Sequence, residues 1–325
     1  MDNVTHTLTG LMLARCGLDR GAKGTAAMML LAANIPDIDI VSGLRGSLSY
    51  IQYHRAHTHS LLLAPLMALL PWLAVRLLAR SRLGVVEYFG ALIAVLSHLL
   101  LDFTNVYGIR ILLPFSDRWL RLDMTDIVDP WILAILIAAL GIPALVKLVS
   151  DEISGRRNPA PKRGWAVFAL VALSMYEGAR YFSHDRALGI LNSHIYGGQP
   201  AERITALPDR VSPLRWRGVV EGEGFVYEVP VNVMAEYFDV GAGRIDYSPK
   251  NAPAMEVARR LPAFEIFGRF NQLPFWRLIP TEDGLRVELL DLRFGSLVRP
   301  GFEAVAEVEP NGHVKESRFV FAPPR

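Results

Sequence analysis

Four stretches of this chain, residues 61–79, 84–101, 131–149 and 164–182, are each near the ~20 apolar residues that carry a helix across a bilayer. A single run of this kind reads equally well as a buried core helix. Four in one chain point to a polytopic α-helical membrane domain, because helices that are apolar all round need lipid or a large core to cover them. Composition agrees: 51% of residues are hydrophobic and 20% are charged, where soluble domains average about 25% charged. Mean hydropathy is +0.26. This excludes a disordered chain. The 34 basic and 32 acidic residues give a net charge of +2, so nothing nominates nucleic acid as a partner. The single cysteine, Cys16, excludes an intrachain disulfide framework and a Cys-built zinc site.

The 325 residues allow about two domains, and the patterning divides them. Residues 1–184 hold the apolar runs and read as the membrane-embedded domain. Its first forty residues look like a short helical hairpin, with apolar legs at 7–16 and 25–35 and a polar turn carrying Arg15, Asp19, Arg20 and Lys23. The second leg is expected to stop at Pro36. The acidic start, with Asp2 and His6, does not read as a signal peptide. From residue 185 to 325 no long apolar run remains. Alternating segments punctuated by Gly and Pro, at 217–221, 225–231, 264–270, 285–290, 302–308 and 313–321, predict a small β-rich soluble domain with one helix near 254–261.

Basic residues orient the chain. Arg15, Arg20 and Lys23, then Arg76, Arg80 and Arg82, then Arg156, Arg157, Lys162 and Arg163 fall in alternate loops, which the positive-inside rule assigns to the cytoplasm. The N-terminus, the 37–59 and 102–129 loops and the C-terminal domain then share the outer face of an inner (cytoplasmic) membrane.

The chemistry-bearing residues cluster on that side. Five of the eight histidines, His6, His54, His57, His59 and His98, accompany Asp37, Asp39 and Asp102. Asp37 and Asp39 are two apart after a proline, which in an extended segment puts both carboxylates on one side. His98 and Asp102 are four apart, on one helix face. His6 begins the first helix, Asp37 follows the second, His59 begins the third and His98 ends the fourth, all at one depth. Ionisable groups at membrane depth are expensive and functional, and imidazole with carboxylate suits zinc, manganese or iron. The candidates exceed the needs of one tetrahedral zinc. Two ions ~4 Å apart would use them, and such pairs hydrolyse phosphoesters.

Thr5-His6, Pro36-Asp37-Ile38-Asp39, His54-Arg55-Ala56-His57-Thr58-His59-Ser60 and His98-Leu99-Leu100-Leu101-Asp102 together resemble the YdjM-type family of inner-membrane metal-dependent hydrolases. The resemblance covers about residues 1–150. It implies hydrolysis by metal-activated water, with His6, Asp37, Asp39, His54, His59, His98 and Asp102 as ligands of one or two divalent transition-metal ions, zinc first and manganese or iron next. His57 falls on a variable position of the motif and stays outside the set.

Asp39 and Arg55 are the residues expected to serve the reaction. Arg55 either clamps a substrate phosphate or pairs with Asp37 or Asp39 and orients a ligand. Thr58 and Ser60 are expected to cap the third helix, and Glu177 and Arg180 to pair within the last run. The reading is a membrane-bound hydrolase acting on a phosphoester or lipid-linked substrate that reaches the site from the bilayer. The rival is a non-catalytic metal-binding transporter or envelope scaffold.

Overall fold

The computed structural model describes residues 1–18, 22–154, 162–249 and 251–321. Asp19 and Arg20 of the polar turn, and Arg156 and Arg157 of the basic loop, lie outside them. The N-terminal half is helical: α1 (Asn3–Arg15), α2 (Thr25–Asn34), a 3-10 helix (Ile35–Arg45), α3 (Ser47–Tyr53), a 3-10 turn (His57–His59), α4 (Ala64–Leu78), α5 (Val85–Thr104), α6 (Pro130–Ser154) and α7 (Lys162–Asn192). The chain forms two compact units. The first holds Met1–Asp39, Arg55–Phe182 and Arg210–Pro213; the second holds Ile40–His54, Ser183–Asp209 and Leu214–Arg325.

Thr25–Arg45, Val85–Thr104 and Pro130–Ile153 are each long and apolar enough to cross a membrane, and Ser47–His59 with Ala64–Leu78 makes a fourth if the bent pair is one span. Two expectations change. The second hairpin leg does not stop at Pro36; the α-helix ends at Asn34 and the chain continues as a 3-10 helix to Arg45, whose first turn accommodates Pro36, a residue without an N–H to donate. The run at 164–182 lies in α7, but among the described residues α7 is not one of the helices that qualify as a span. Glu177 and Arg180 interrupt its apolar stretch.

Small residues let the helices of the first unit pack closely. Ala14, Met28, Met29, Ala32, Ala33, Ala64, Ala68, Ala91, Ala94 and Leu99 form one continuous buried core. Met12, Leu101, Ile132, Leu136, Ala166 and Ala169 form another, joining α1 to α6 and α7. α1 and α2 meet at Gly10, where a Cβ would lie 2.7 Å from Ala33 Cβ and 3.0 Å from the Met29 carbonyl oxygen. The basic ends gather together: Ser81 Oγ donates to the Lys23 carbonyl, and Arg163 Nε donates to the Cys16 carbonyl at 2.9 Å.

The second unit carries two four-stranded antiparallel sheets in sequential order: β1 (Arg203–Pro208), β2 (Arg215–Gly222), β3 (Phe225–Asn232) and β4 (Arg244–Tyr247), then β5 (Pro274–Thr281), β6 (Gly284–Asp291), β7 (Phe302–Val308) and β8 (Val314–Phe321). Ala187 and Leu191 at the end of α7 pack on the first sheet against Trp216, Val220 and Val229. Helices α8 (Pro253–Arg259) and α9 (Pro262–Phe270) accompany the second sheet. α3 belongs to this unit, packing on α9 and β8.

The segment expected as a strand at 264–270 is α9. Its buried residues Ala263, Phe264, Phe267 and Phe270 recur at three- and four-residue steps, the helical period, and Pro262 suits a first helical turn. Strand β5 was not anticipated because Pro274 and Pro280 disqualify a central strand; it is an edge strand, where proline is tolerated.

Gly10→Leu is expected to destabilise the first unit by about 1–3 kcal/mol or more through overpacking. Gly141→Leu, at a position with open space beside its Cβ direction, should change stability by less than about 0.5 kcal/mol. Thermal unfolding in detergent, followed by circular dichroism, compares the two.

Candidate metal centre

Each residue of the centre is set by a local feature of its own element. Asp2 caps α1, accepting from Val4 N and Thr5 N at 3.0 Å each and from Thr5 Oγ1 at 2.6 Å, which fixes the turn bearing His6. Asn34 Nδ2 donates to Thr7 Oγ1 at 2.9 Å and ties the end of α2 to α1. The following 3-10 turn buries Asp37, which is 5% exposed. The segment is a 3-10 helix and not the extended chain expected, yet Asp37 and Asp39 still offer oxygens within 4.8 Å of each other, one on each ring nitrogen of His59. His98 and Asp102 lie one turn apart on α5, both fully buried.

Four side chains converge. His59 Nε2 and His98 Nε2 are 3.1 Å apart. Asp37 Oδ1 is 3.4 Å from the first and 3.6 Å from the second. Asp102 Oδ2 is 3.3 Å from the first and 3.4 Å from the second. A tetrahedron with metal–ligand bonds of about 2.0–2.1 Å has edges of about 3.3–3.4 Å. Five of the six separations therefore lie close to those of one tetrahedral ion, and the Asp37, His59, His98 and Asp102 cluster, whose donor atoms all lie within 4.8 Å of one another, could hold a metal.

Hydrogen bonding supports the fit. His98 Nδ1 lies 2.7 Å from the Ala33 carbonyl oxygen, an acceptor that turns Nε2 toward the group. His59 Nδ1 lies 3.2 Å from Asp39 Oδ2 and 3.1 Å from Thr58 Oγ1. Thr58 donates its own hydroxyl to Asp39 at 2.6 Å, so Asp39 is the acceptor that orients His59 and turns its Nε2 the same way. An acceptor behind each ring nitrogen that faces away from the site is the usual support of a metal-binding histidine. Asp102 Oδ2 is buried with no hydrogen-bond partner, an arrangement that costs about 1–3 kcal/mol or more when nothing else binds the atom.

The other sequence-derived candidates surround this group in different roles. Asp39 sits behind His59, and also accepts the Arg55 backbone N–H at 2.8 Å. His6 stacks on the His98 ring at 3.7 Å and places Nε2 3.4 Å from Asp102 Oδ1, the oxygen that the four-atom group does not use. His54 lies in the second unit at the end of α3, buried and stacked on Tyr50 at 4.5 Å. His57 is exposed.

Arg55 pairs with neither Asp37 nor Asp39 through its side chain; its Nη2 is 3.0 Å from Asp102 Oδ1. Nη1 donates to Asn105 Oδ1 at 3.2 Å and to the Gly108 carbonyl at 3.5 Å. The guanidinium lies over the Tyr107 ring at 4.5 Å. Its backbone adopts φ 57°, a left-handed conformation costing about 1–3 kcal/mol for a side-chain-bearing residue. The surroundings over-determine it: Asp39 holds its N–H, and Arg110 N donates to its carbonyl at 3.2 Å.

Asn105 also belongs to the site. It is fully buried. Its Oδ1 accepts from Tyr107 N at 2.8 Å and from Arg55, and its Nδ2 donates to Asp102 Oδ1 at 3.2 Å. Its place three residues after Asp102, one helical turn, was the available signal. Thr58 likewise carries Asp39 rather than capping a helix. Ser60 Oγ accepts from Leu63 N at 3.3 Å, close to its expected capping role. Of the pair expected in α7, Arg180 donates to the carbonyls of Met124 and Pro213, while Glu177 accepts from Thr104 Oγ1 at 3.4 Å.

His59→Ala or His98→Ala is expected to abolish tight metal binding. Asp39→Asn should weaken it by about 10–100-fold by misorienting His59, and His57→Ala should leave it unchanged. Competition against a chelating dye measures all four.

A family model of the YdjM inner membrane proteins matches residues 1–187. The chain is also similar to the uncharacterized protein YfhP of Bacillus subtilis (strain 168), 31% identical over 155 residues, which is 44% of this chain and 46% of the relative. The chain thus spans about half the length of that curated relative. No solved structure matches. The family match extends over more than half of the sequence and takes in α1 to α6, most of α7 and every residue of the four-atom group: this chain belongs to the YdjM inner membrane protein family.

Proposed function

We propose that this protein is a membrane-bound metal-dependent hydrolase that cleaves a phosphoester, with an amphiphilic, lipid-linked substrate as the favoured class. The observation that carries the reading is the near-tetrahedral group of two imidazole nitrogens and two carboxylate oxygens, buried inside a helical bundle. Nitrogen and oxygen donors without thiolate favour a hydrolytic ion over a redox cluster, and zinc suits the tetrahedral spacing best. When bound, such an ion lowers the pKa of water and polarises a phosphoryl oxygen.

The chain's own residues supply the rest. Asp37, His59, His98 and Asp102 hold the ion. Asp39 behind His59 Nδ1 and the Ala33 carbonyl behind His98 Nδ1 orient the two rings so that both Nε2 atoms face the ion. Arg55, expected either to clamp substrate or to orient a ligand, is assigned the second role, since its Nη groups are engaged by Asp102, Asn105 and backbone carbonyls. His54 enters the proposal as a ligand candidate of the sequence motif.

Depth supports a lipid-linked substrate. His98 and Asp102 follow Val85, the first residue of α5, by 13 and 17 positions, or about 20 and 25 Å at helical rise. The hydrocarbon core is about 30 Å thick. With the basic end of the bundle in the cytoplasm, the group sits just inside the outer interface, where an amphiphile carries its headgroup. In a Cys16→Ala background, a cysteine replacing Arg80 should label only from the cytoplasmic side, and one replacing Asp117 only from outside. The reverse pattern overturns the orientation.

Purified, metal-loaded protein is expected to hydrolyse at least one of a panel of phospholipids, polyprenyl phosphates and soluble phosphodiesters. Chelation or His98→Ala should lower the rate at least ~100-fold, since removing the ion removes its whole contribution. Inactivity of the loaded protein on the whole panel would contradict the hydrolase reading and favour a non-catalytic transporter or scaffold. Cleavage of amides alone would overturn the substrate class.

A further inference from the structure

Asp102 is two-faced. Its Oδ2 joins the group of His59, His98 and Asp37. Its Oδ1 faces a different set: Arg55 Nη2 at 3.0 Å, Asn105 Nδ2 at 3.2 Å, His6 Nε2 at 3.4 Å and the Met1 α-amino group. In two-metal hydrolases a carboxylate between the ions binds one with each oxygen, and the ions stand about 4 Å apart. The position beyond Asp102 Oδ1 is where a second ion would stand. His6, 1% exposed and with neither ring nitrogen hydrogen-bonded, is the side chain available to help hold it.

We propose that the Arg55 guanidinium occupies the place of a second metal ion, so that the site takes one ion, and that His6 with Asp102 Oδ1 forms a latent second position that Arg55 blocks. The proposal rests on the metal-binding reading of the Asp37, His59, His98 and Asp102 group. Three observations carry it. Arg55 is 2% exposed and lies within ion-pair distance of the one oxygen a second ion would need. A cation buried there neutralises Asp102, and a divalent ion beside it would meet a positive charge at close range in a medium of low dielectric. The guanidinium is also built in: Asn105 Oδ1 and the Gly108 carbonyl hold Nη1, the Tyr107 ring lies beneath, and Asn105 links guanidinium and carboxylate by bonding to both. Gly108 permits this approach, since its φ of 79° and a Cβ that would lie 2.8 Å from the Leu120 carbonyl oxygen exclude a side chain.

The geometry also separates two kinds of histidine among those adjoining Asp102. His59 and His98 have their Nδ1 atoms fixed by an acceptor and their Nε2 atoms in the four-atom group. His6 has no such anchor and contacts Asp102 on the Arg55 side. It is therefore a residue of the latent position and not a ligand of the resident ion.

The test counts ions. Full-length protein in detergent is stripped with chelator, reloaded with Zn2+ or Mn2+, and analysed by elemental analysis and, for Mn2+, by electron paramagnetic resonance. Wild type is expected to hold one ion per chain with an uncoupled Mn2+ signal. His6→Ala should keep that ion with affinity within about threefold. Arg55→Gln should take up a second ion, with an exchange-coupled Mn2+ signal, and the double variant His6→Ala, Arg55→Gln should return to one. Arg55→Lys, which keeps a cation, should remain at one. Two coupled ions in wild type, loss of the ion in His6→Ala, or a folded Arg55→Gln that holds one ion would each overturn the proposal while leaving metal binding intact. If Arg55→Gln does not fold, the wild-type and His6→Ala counts decide. No ion in reloaded wild type would overturn the underlying metal reading instead.

Discussion

Two imidazole Nε2 atoms, 3.1 Å apart and fully buried, are the constraint around which the helical unit is arranged. The carboxylates of Asp37 and Asp102 beside them bring negative charge that a low-dielectric interior cannot leave uncompensated. A divalent cation among the four atoms would compensate it. The end of α2, the 3-10 turn before α4 and the last turns of α5 deliver these atoms, so the packing between those elements sets the geometry of the site.

Two features position these elements. Close packing of small residues, with Gly10 against Ala33 and alanines along α2, α4 and α5, leaves little room for a helix to shift. A hydrogen-bonded frame then fixes side-chain orientation: Asp39 and Thr58 behind His59, the Ala33 carbonyl behind His98, Arg55 and Asn105 behind Asp102. The left-handed backbone of Arg55 belongs to this frame. It lets one residue present its N–H to Asp39 and its guanidinium to Asp102, which ties the two halves of the site together at the expense of local strain.

Much of this was legible in the sequence where the spacing maps onto one regular element. His98 and Asp102, four apart, fall on one face of α5 as a helix requires, and the apolar runs become helices. The β-rich character of the C-terminal region was legible from alternation, although 264–270 follows a helical period that short segments share ambiguously with strands. Less was legible where geometry depends on tertiary placement. Two-residue spacing suggests neighbouring carboxylates for Asp37 and Asp39, and their oxygens do come within 4.8 Å of each other, but through a 3-10 helix, with one in the group and one behind His59. The partner of Arg55 could not be read locally, because Asp102 lies 47 positions away. Nothing in the pattern marks Ile40–His54 as belonging to the second compact unit. Its packing on α9 and β8 involves residues more than two hundred positions distant.

X-ray absorption at the zinc edge of reloaded, purified protein tests the central claim most directly. The account predicts four nitrogen or oxygen neighbours at about 2.0–2.1 Å with no sulfur, together with the outer-shell scattering of two imidazoles. A shell containing sulfur, or one without imidazole scattering, would contradict it.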